Sequence, residues 1–245
     1  MSSYESLAES YDLFTTDVNY KLWADYYEQI FKVHNIKPEL VLDLACGTGT
    51  LSIELSNRGY DMTSVDASPE MLSVAMQKAG ELCDNQPLFL CQTMEELDLY
   101  GTMDAVICSL DSLNYLLSVD ALNATFDRLK YFVRPGGIVI FDVNTEFKFN
   151  KMNGMSYIRD EADYFCAWSA DFEDSICRMT MDIFHCVGDL WQRSQEEHIE
   201  RAHTDHEIRN AFENAGFKLV AKYDELSFED VTNTSERVFW VIERE

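Results

Sequence analysis

From residue 40 onward, short apolar runs alternate with longer segments of helical period. The runs at 40–45, 61–67, 87–92, 103–110 and 137–144 show no strict alternation, so each reads as a strand buried on both faces. Helices are predicted between them. One spans "GTLSIELSNRG" and ends at Gly59; a second has Ser68 as N-cap, Pro69 at its first position and Gly80 as its stop; a third runs from about 119 to 131. Strands separated by helices in this way predict a parallel sheet covered on both sides. Upstream, Tyr20, Trp23, Tyr27, Ile30 and Phe31 recur at helical spacing, which predicts an amphipathic helix from Tyr20 to Val33, closed off by Pro38.

At about Glu146 the rhythm changes. Residues 162–187 alternate, as in "ICRMTMDIFHC", and 190–201 continue the pattern, so antiparallel strands with one wet face are expected. Thr204 followed by Glu207 is a capping box opening a helix through Ala215, which Gly216 ends. The runs 217–226 and 237–243 then make a closing strand pair. The sum is a single α/β domain over 1–245, with a seven-stranded, mostly parallel sheet, helices on both faces and a small antiparallel cap insertion. Its expected parts are an N-terminal lid helix region (1–36), a core (37–145), the cap (146–201) and a closing helix and strand pair (202–245).

The formal net charge of −25 over 245 residues works against binding phosphate backbones, which need clustered Lys and Arg, and these are scattered here. The charge serves solubility or, on a sharper reading, a preference for neutral or cationic small substrates. No apolar run reaches the ~18 residues of a membrane span, and the polar, acidic N-terminus lacks a leader pattern; a cytoplasmic protein is expected. Seven cysteines without a CxxC pair fit neither a disulfide framework nor a zinc or iron–sulfur site, and no cluster has metal-ligand spacing.

The chemistry concentrates where the first strand ends, in "DLACGTG" (43–49). Ligands of open α/β sheets bind beyond the carboxyl ends of the strands, at the switch point. Gly47 and Gly49 allow close approach of backbone to a ligand, or simply a turn with positive φ. A dinucleotide fingerprint would need a third glycine where Ser52 stands. Asp66, ending the second strand, suits a ribose diol and is compatible with either NAD or S-adenosylmethionine. Asp43 disfavours a pyrophosphate and suits a ligand carrying an α-ammonium and a sulfonium.

On these residues the chain resembles class I S-adenosylmethionine-dependent methyltransferases, and "YDLFTTDVNYKLWADYY" (11–27) with "EEHIERAHTDHEIRNAFENAGF" (196–217) resembles a small bacterial subgroup of uncharacterised or diverse substrates. The resemblance implies a Rossmann-like fold, S-adenosyl-L-methionine as cofactor and methyl transfer by in-line displacement. The glycine-rich motif of the family aligns on Asp43, Ala45, Cys46, Gly47 and Gly49, with Ala45 replacing its first glycine. Asp66 and Ala67 fall at the ribose position. "MEEL" (94–97) matches the loop bracketing adenine, with Thr93 where an acid usually stands and Met94 as its apolar neighbour. "RPGGIVIFDVN" (134–144) resembles the turn into the fifth strand. The first helix of the subgroup folds over the cofactor, which would carry Tyr11, Tyr20 and Trp23 toward the sulfonium, where aromatic faces attract a cation.

The loop after the fourth strand faces the methyl group in this family, which brings Ser109 to the cofactor and makes Asp111, Asn114 and Tyr115 candidates for orienting the acceptor. Asp111 or Ser112 can equally cap a helix there. His198, in the cap, is a candidate base near neutral pH. Arg201 and Arg237 are candidates for an acceptor carboxylate, although ion pairing among so many acids is the simpler use. No Asn-Pro-Pro-Tyr sequence is present, which argues against amide and base N-methylation. A small-molecule acceptor is expected, under a roof that Tyr157, Tyr164, Phe165, Trp168 and Trp191 would help to build. A tRNA methyltransferase, an NAD-dependent oxidoreductase and a non-catalytic S-adenosylmethionine-binding protein stay open as alternatives.

Overall fold

The computed structural model describes residues 18–162, 164–188 and 190–245. The aromatic helix is α1 (Tyr20–Val33), whose first turn is capped by the Asn19 side chain accepting from the Leu22 amide. It leads into β1 (Leu40–Leu44), α2 (Thr50–Asn57), β2 (Asp61–Asp66), α3 (Pro69–Leu82), β3 (Leu88–Cys91) and β4 (Met103–Cys108). A single 3-10 turn (Ser112–Tyr115), α4 (Val119–Phe132) and β5 (Val133–Asn144) follow. Ser68 and Pro69 open α3 as their chemistry requires. Gly80 does not stop it. That glycine keeps a negative φ, so it forms no left-handed cap, and the helix runs on to Leu82 before Cys83 turns extended.

Beyond β5 comes α5 (Glu146–Met152), a helix the alternation of the cap segment did not announce. Its residues are mostly polar, and Phe149 is its one buried side chain. Then follow β6 (Ser156–Asp160), β7 (Tyr164–Glu173), β8 (Ile176–Val187) and β9 (Leu190–Arg201), a meander paired antiparallel throughout. The capping box at Thr204 and Glu207 starts α6 (Asp205–Asn214), and β10 (Phe217–Asp224) and β11 (Arg237–Arg244) end the chain.

The main sheet has seven strands in the order β10-β11-β5-β4-β1-β2-β3, all running the same way except β11, which lies antiparallel between β10 and β5. Helices cover both faces. Phe126 of α4 and Phe212 of α6 pack with Phe141 and Trp240 on one side. On the other, Tyr27, Ile30 and Phe31 of α1 pack with Leu51 and Leu55 of α2 and with Phe239. The cap sheet packs on the core through apolar contacts, with Cys166 and Ile183 meeting Met71 of α3 and Ala170 and Cys177 meeting Phe149, and through hydrogen bonds linking β9 to the 3-10 turn and β5. Chain direction diverges between β1 and β4, and the crevice at their carboxyl ends is the switch point where such folds bind ligands.

Candidate active site

A cavity of about 500 Å³ opens at that crevice. Its walls come from the loops after β1 to β4, from Val18 and Tyr20 at the start of α1, and from Arg237 on β11. The volume lies within the range of small-ligand sites.

The loop after β1 is held by its own backbone, with the Cys46 amide donating to the Val65 carbonyl at 2.9 Å and that of Gly49 to Cys46 at 2.9 Å. Ala45, Gly47 and Gly49 all have positive φ. The two glycines differ in what their missing side chains permit. At Gly47 an added Cβ would meet nothing within 4 Å, and the residue lines the cavity. At Gly49 it would stand 2.9 Å from the Ala75 Cβ and 3.2 Å from the Phe89 ring. Gly49, expected to face the cofactor, does not line the cavity; it lets α3 and β3 close on the loop. Gly49→Ala should therefore lower stability by about 2 kcal/mol, against about 1 kcal/mol for Gly47→Ala, where only the backbone conformation is strained. Thermal unfolding of the two variants checks the order.

Asp66 lies at the mouth of this loop. Its Oδ2 accepts the Gly47 amide and its Oδ1 the Ser68 amide, each at 2.8 Å. Burial pushes its carboxyl upward, against the pull of those N–H donors. Each oxygen keeps a further lone pair for a ligand. Asp43 is fully buried beneath the loop yet lines the cavity, and its Oδ2 accepts from Ser52, which in turn accepts from Ser64 at 2.9 Å. Burial raises its carboxyl to about 7, despite the Ser52 hydrogen bond, with the Asp66 charge adding to the rise.

The loop after β4 is the second wall. Ser109 lines the cavity and shares a 2.7 Å hydrogen bond with the buried Tyr27 hydroxyl. Leu110 and Asp111 then adopt left-handed backbone, at φ 57 and 55. Such a conformation costs non-glycine residues ~1–3 kcal/mol each and persists only where its surroundings impose it. Here the buried Asp142 carboxylate on β5 does so, accepting the Leu110 amide at 2.8 Å and the Asp111 amide at 2.9 Å. Arg237 completes the clamp. Its Nη1 pairs with Asp142, its Nη2 stands 2.6 Å from Asp111 Oδ1, and its Nε lies 3.3 Å from Glu225. Burial raises the Asp142 carboxyl and the Arg237 charge opposes that rise. Neither Asp142 nor the clamp was anticipated; the only local signal is one acid inside the apolar run "GIVIFDVN".

The remaining candidates divide. Tyr20, Ala45, Cys46, Ala67, Thr93, Met94, Asp111 and Tyr115 line the cavity, as does the unanticipated Gln92. Trp23 does not: at 5% exposure its ring packs on Tyr27, which shares the buried face of α1, and on Phe239 of β11 within the core. Asn114 is also turned away from the cavity. Its side-chain amide donates to the Asn144 and Arg201 carbonyls and its Oδ1 accepts the Asn144 amide, tying the 3-10 turn to β5 and β9. His198 does not line the cavity itself, but its Nδ1 lies 3.0 Å from the hydroxyl of Tyr115, which does. Burial lowers its basicity, and the Asp111 charge partly restores it. Arg201 pairs with Glu207 at 2.7 Å. Tyr157 and Trp168 stack on each other at 4.2 Å, and Trp191 is 52% exposed; neither these nor Tyr164 and Phe165 line the cavity. Tyr11 lies outside the described residues.

Residues 41–137 match the family described as "Methyltransferase domain". "Putative methyltransferase YqeM" of Bacillus subtilis is 33% identical over 97% of this chain and 95% of its own length. The solved structure of a S-adenosylmethionine-dependent methyltransferase from Clostridium acetobutylicum is 31% identical, covers 98% of both chains and superposes with a TM-score of 0.90. An amino pentose methyltransferase from Micromonospora echinaspora, CalS10, solved with its cofactor bound, shares the fold at 18% identity and a TM-score of 0.77, covering 97% of this chain and 96% of its own.

Proposed function

Because the chain belongs to the class I S-adenosylmethionine-dependent methyltransferases, we propose that it methylates a small molecule in the cavity at the end of β1 and β4. It is an enzyme whose cofactor is S-adenosylmethionine, which supplies a methyl group on a sulfonium sulfur. The observation that carries the finer reading is the division of the cavity wall. Asp66, Gln92, Thr93 and Met94 line it from the ends of β2 and β3, and Ser109 to Ser112, Tyr115 and Leu116 from beyond β4, together with Tyr20 and Arg237, which supports a nucleoside and a second reactant lying side by side.

In this reading the free lone pairs of Asp66 hold a ribose diol, and Met94 and Thr93 flank the base. Asp43 faces the α-ammonium across the Gly47 loop, and Tyr20 turns its ring toward the sulfonium. The clamped turn at Leu110 and Asp111 orients the acceptor, and catalysis is largely positioning with exclusion of water. The acceptor is small because about 500 Å³ must hold both reactants and the acidic chain, with its scattered Lys and Arg, offers no basic track for a phosphate backbone. The amino pentose specificity in the name of CalS10 is in keeping with that. All seven cysteines are free, and no helix among the described residues is long and apolar enough to cross a membrane. A reducing compartment suits such a chain, and we place the protein in the cytoplasm.

A screen of amines, carboxylic acids and phenols beside total tRNA, following release of S-adenosylhomocysteine, tests the acceptor class. Turnover of a small molecule is expected; saturable methylation of tRNA alone would overturn it. The raised carboxyl of Asp43 adds a pH signature. An ammonium ligand binds its ionised form, so affinity for S-adenosylhomocysteine should rise as the pH passes upward through about 7. Isothermal titration should show affinity about tenfold lower at one pH unit below that value than well above it, with Asp43→Asn abolishing the dependence.

A further inference from the structure

We propose that the acceptor's nucleophile is an amine nitrogen that arrives as an ammonium ion and gives up its proton through Tyr115 to His198. The proposal rests on the methyl-transfer reading above and names its substrate class.

Charge is the first observation. Four carboxylates line the cavity, those of Asp43, Asp66, Glu95 and Asp111, against one guanidinium, that of Arg237. All three nitrogens of that guanidinium already face acids: Asp111, Asp142 and Glu225. Arg237 therefore has no fork to offer an acceptor carboxylate or phosphate, and three acids surround one cation at the wall beside the turn. Lys78, which reaches the β1 loop, is engaged with the hydroxyls of Thr48 and Thr50. A cation gains in such a wall and an anion loses.

The base is the second. The Tyr115 hydroxyl, on the cavity wall, lies 3.0 Å from Nδ1 of His198, whose ring meets the tyrosine edge-on. On β9, Glu196 and Glu200 flank the histidine on the same buried face. A buried imidazole of lowered basicity is weak. It can relieve an ammonium, whose proton is only moderately held, but it cannot ionise an alcohol. A phenol is acidic enough, yet its oxyanion would form beside Asp111 with Asp142 and Glu225 behind it. An amine is the one nucleophile that starts with the charge this wall favours and needs no stronger base than is there.

The step balances. The ammonium proton passes to the Tyr115 oxygen as the tyrosine's own proton passes to Nδ1, leaving a neutral amine and an imidazolium. The nitrogen lone pair then forms the new bond to the methyl carbon, the carbon–sulfur bond breaks and its electron pair stays on sulfur. The imidazolium proton returns to solvent.

Adenosine analogues of S-adenosylhomocysteine bearing a two-carbon arm on sulfur, ending in an amine, a hydroxyl or a carboxylate, test this by calorimetry without turnover. Salt at about 0.5 M removes the long-range field of the acidic chain, so that only local contacts are read. The amine arm should bind at least tenfold more tightly than the carboxylate arm, a difference of ~1.4 kcal/mol, with the hydroxyl arm between. In Tyr115→Phe the amine should lose most of its lead over the hydroxyl. A carboxylate or hydroxyl arm bound as tightly as the amine overturns the substrate class, and an undiminished lead in Tyr115→Phe overturns the proton path. If S-adenosylhomocysteine itself failed to bind, the cofactor reading would fall instead, so the two failures are distinct.

Discussion

Arg237→Ala should cost about 3–5 kcal/mol of folding stability, the usual penalty for stranding a buried charge. The guanidinium is 7% exposed and is the cationic partner of Asp142, which is fully buried. Without it, Asp142 still accepts the Leu110 and Asp111 amides but has no counter-charge. For a chain of this length the loss corresponds to a melting temperature lower by about 6–20 °C. The deficit should also depend on pH. With its cation gone, the Asp142 carboxyl rises further above its unfolded value, and a raised carboxyl stabilises below its unfolded value and loses that contribution as the pH climbs through the folded one. The gap between variant and wild type should thus be smaller at about pH 5 than at about pH 8. Thermal melts of both proteins across that range measure it, and a deficit independent of pH would mean that Asp142 is not left charged in the variant.

Asp66→Ala should weaken S-adenosylhomocysteine binding by about 30- to 150-fold, or ~2–3 kcal/mol, through loss of charge-assisted acceptance from a buried diol. The same carboxylate fastens the amides of Gly47 and Ser68, so the variant has a structural cost as well. That cost should stay near ~1 kcal/mol, because Gly47 borders the cavity and its amide recovers water, and because the Ser68 hydroxyl still caps α3. Calorimetry alongside circular dichroism separates the two effects. A normal spectrum with an unchanged dissociation constant would remove Asp66 from the site.

What the sequence disclosed follows from how local each signal is. Most of the sheet strands are legible as short, largely apolar runs, as in Leu88–Cys91 and 238–242, and Asp66 because strand ends carry ligands in this architecture. The Thr204 capping box needs only four residues to declare itself. Asp142 and Arg237 lie 95 residues apart and meet only because β11 inserts antiparallel beside β5, which no local pattern encodes. Gly49 reads as a ligand glycine because it stands at a strand end, where a missing Cβ lets backbone approach a ligand; that it instead admits Ala75 and Phe89 depends on how α3 and β3 pack. Trp23 and Tyr20 sit on one amphipathic helix, and only docking of α1 on the sheet decides that the first is core and the second borders the cavity. Helix α5 escaped notice since Phe149 alone of its residues is buried, too little for a period to register.

Titration of the wild-type protein with S-adenosylhomocysteine and, separately, with NADH decides whether the crevice at the end of β1 and β4 takes S-adenosylmethionine. Saturable binding of S-adenosylhomocysteine is expected, one molecule per chain, weakened by Asp66→Ala, with no heat from NADH. Binding of NADH alone would overturn the assignment.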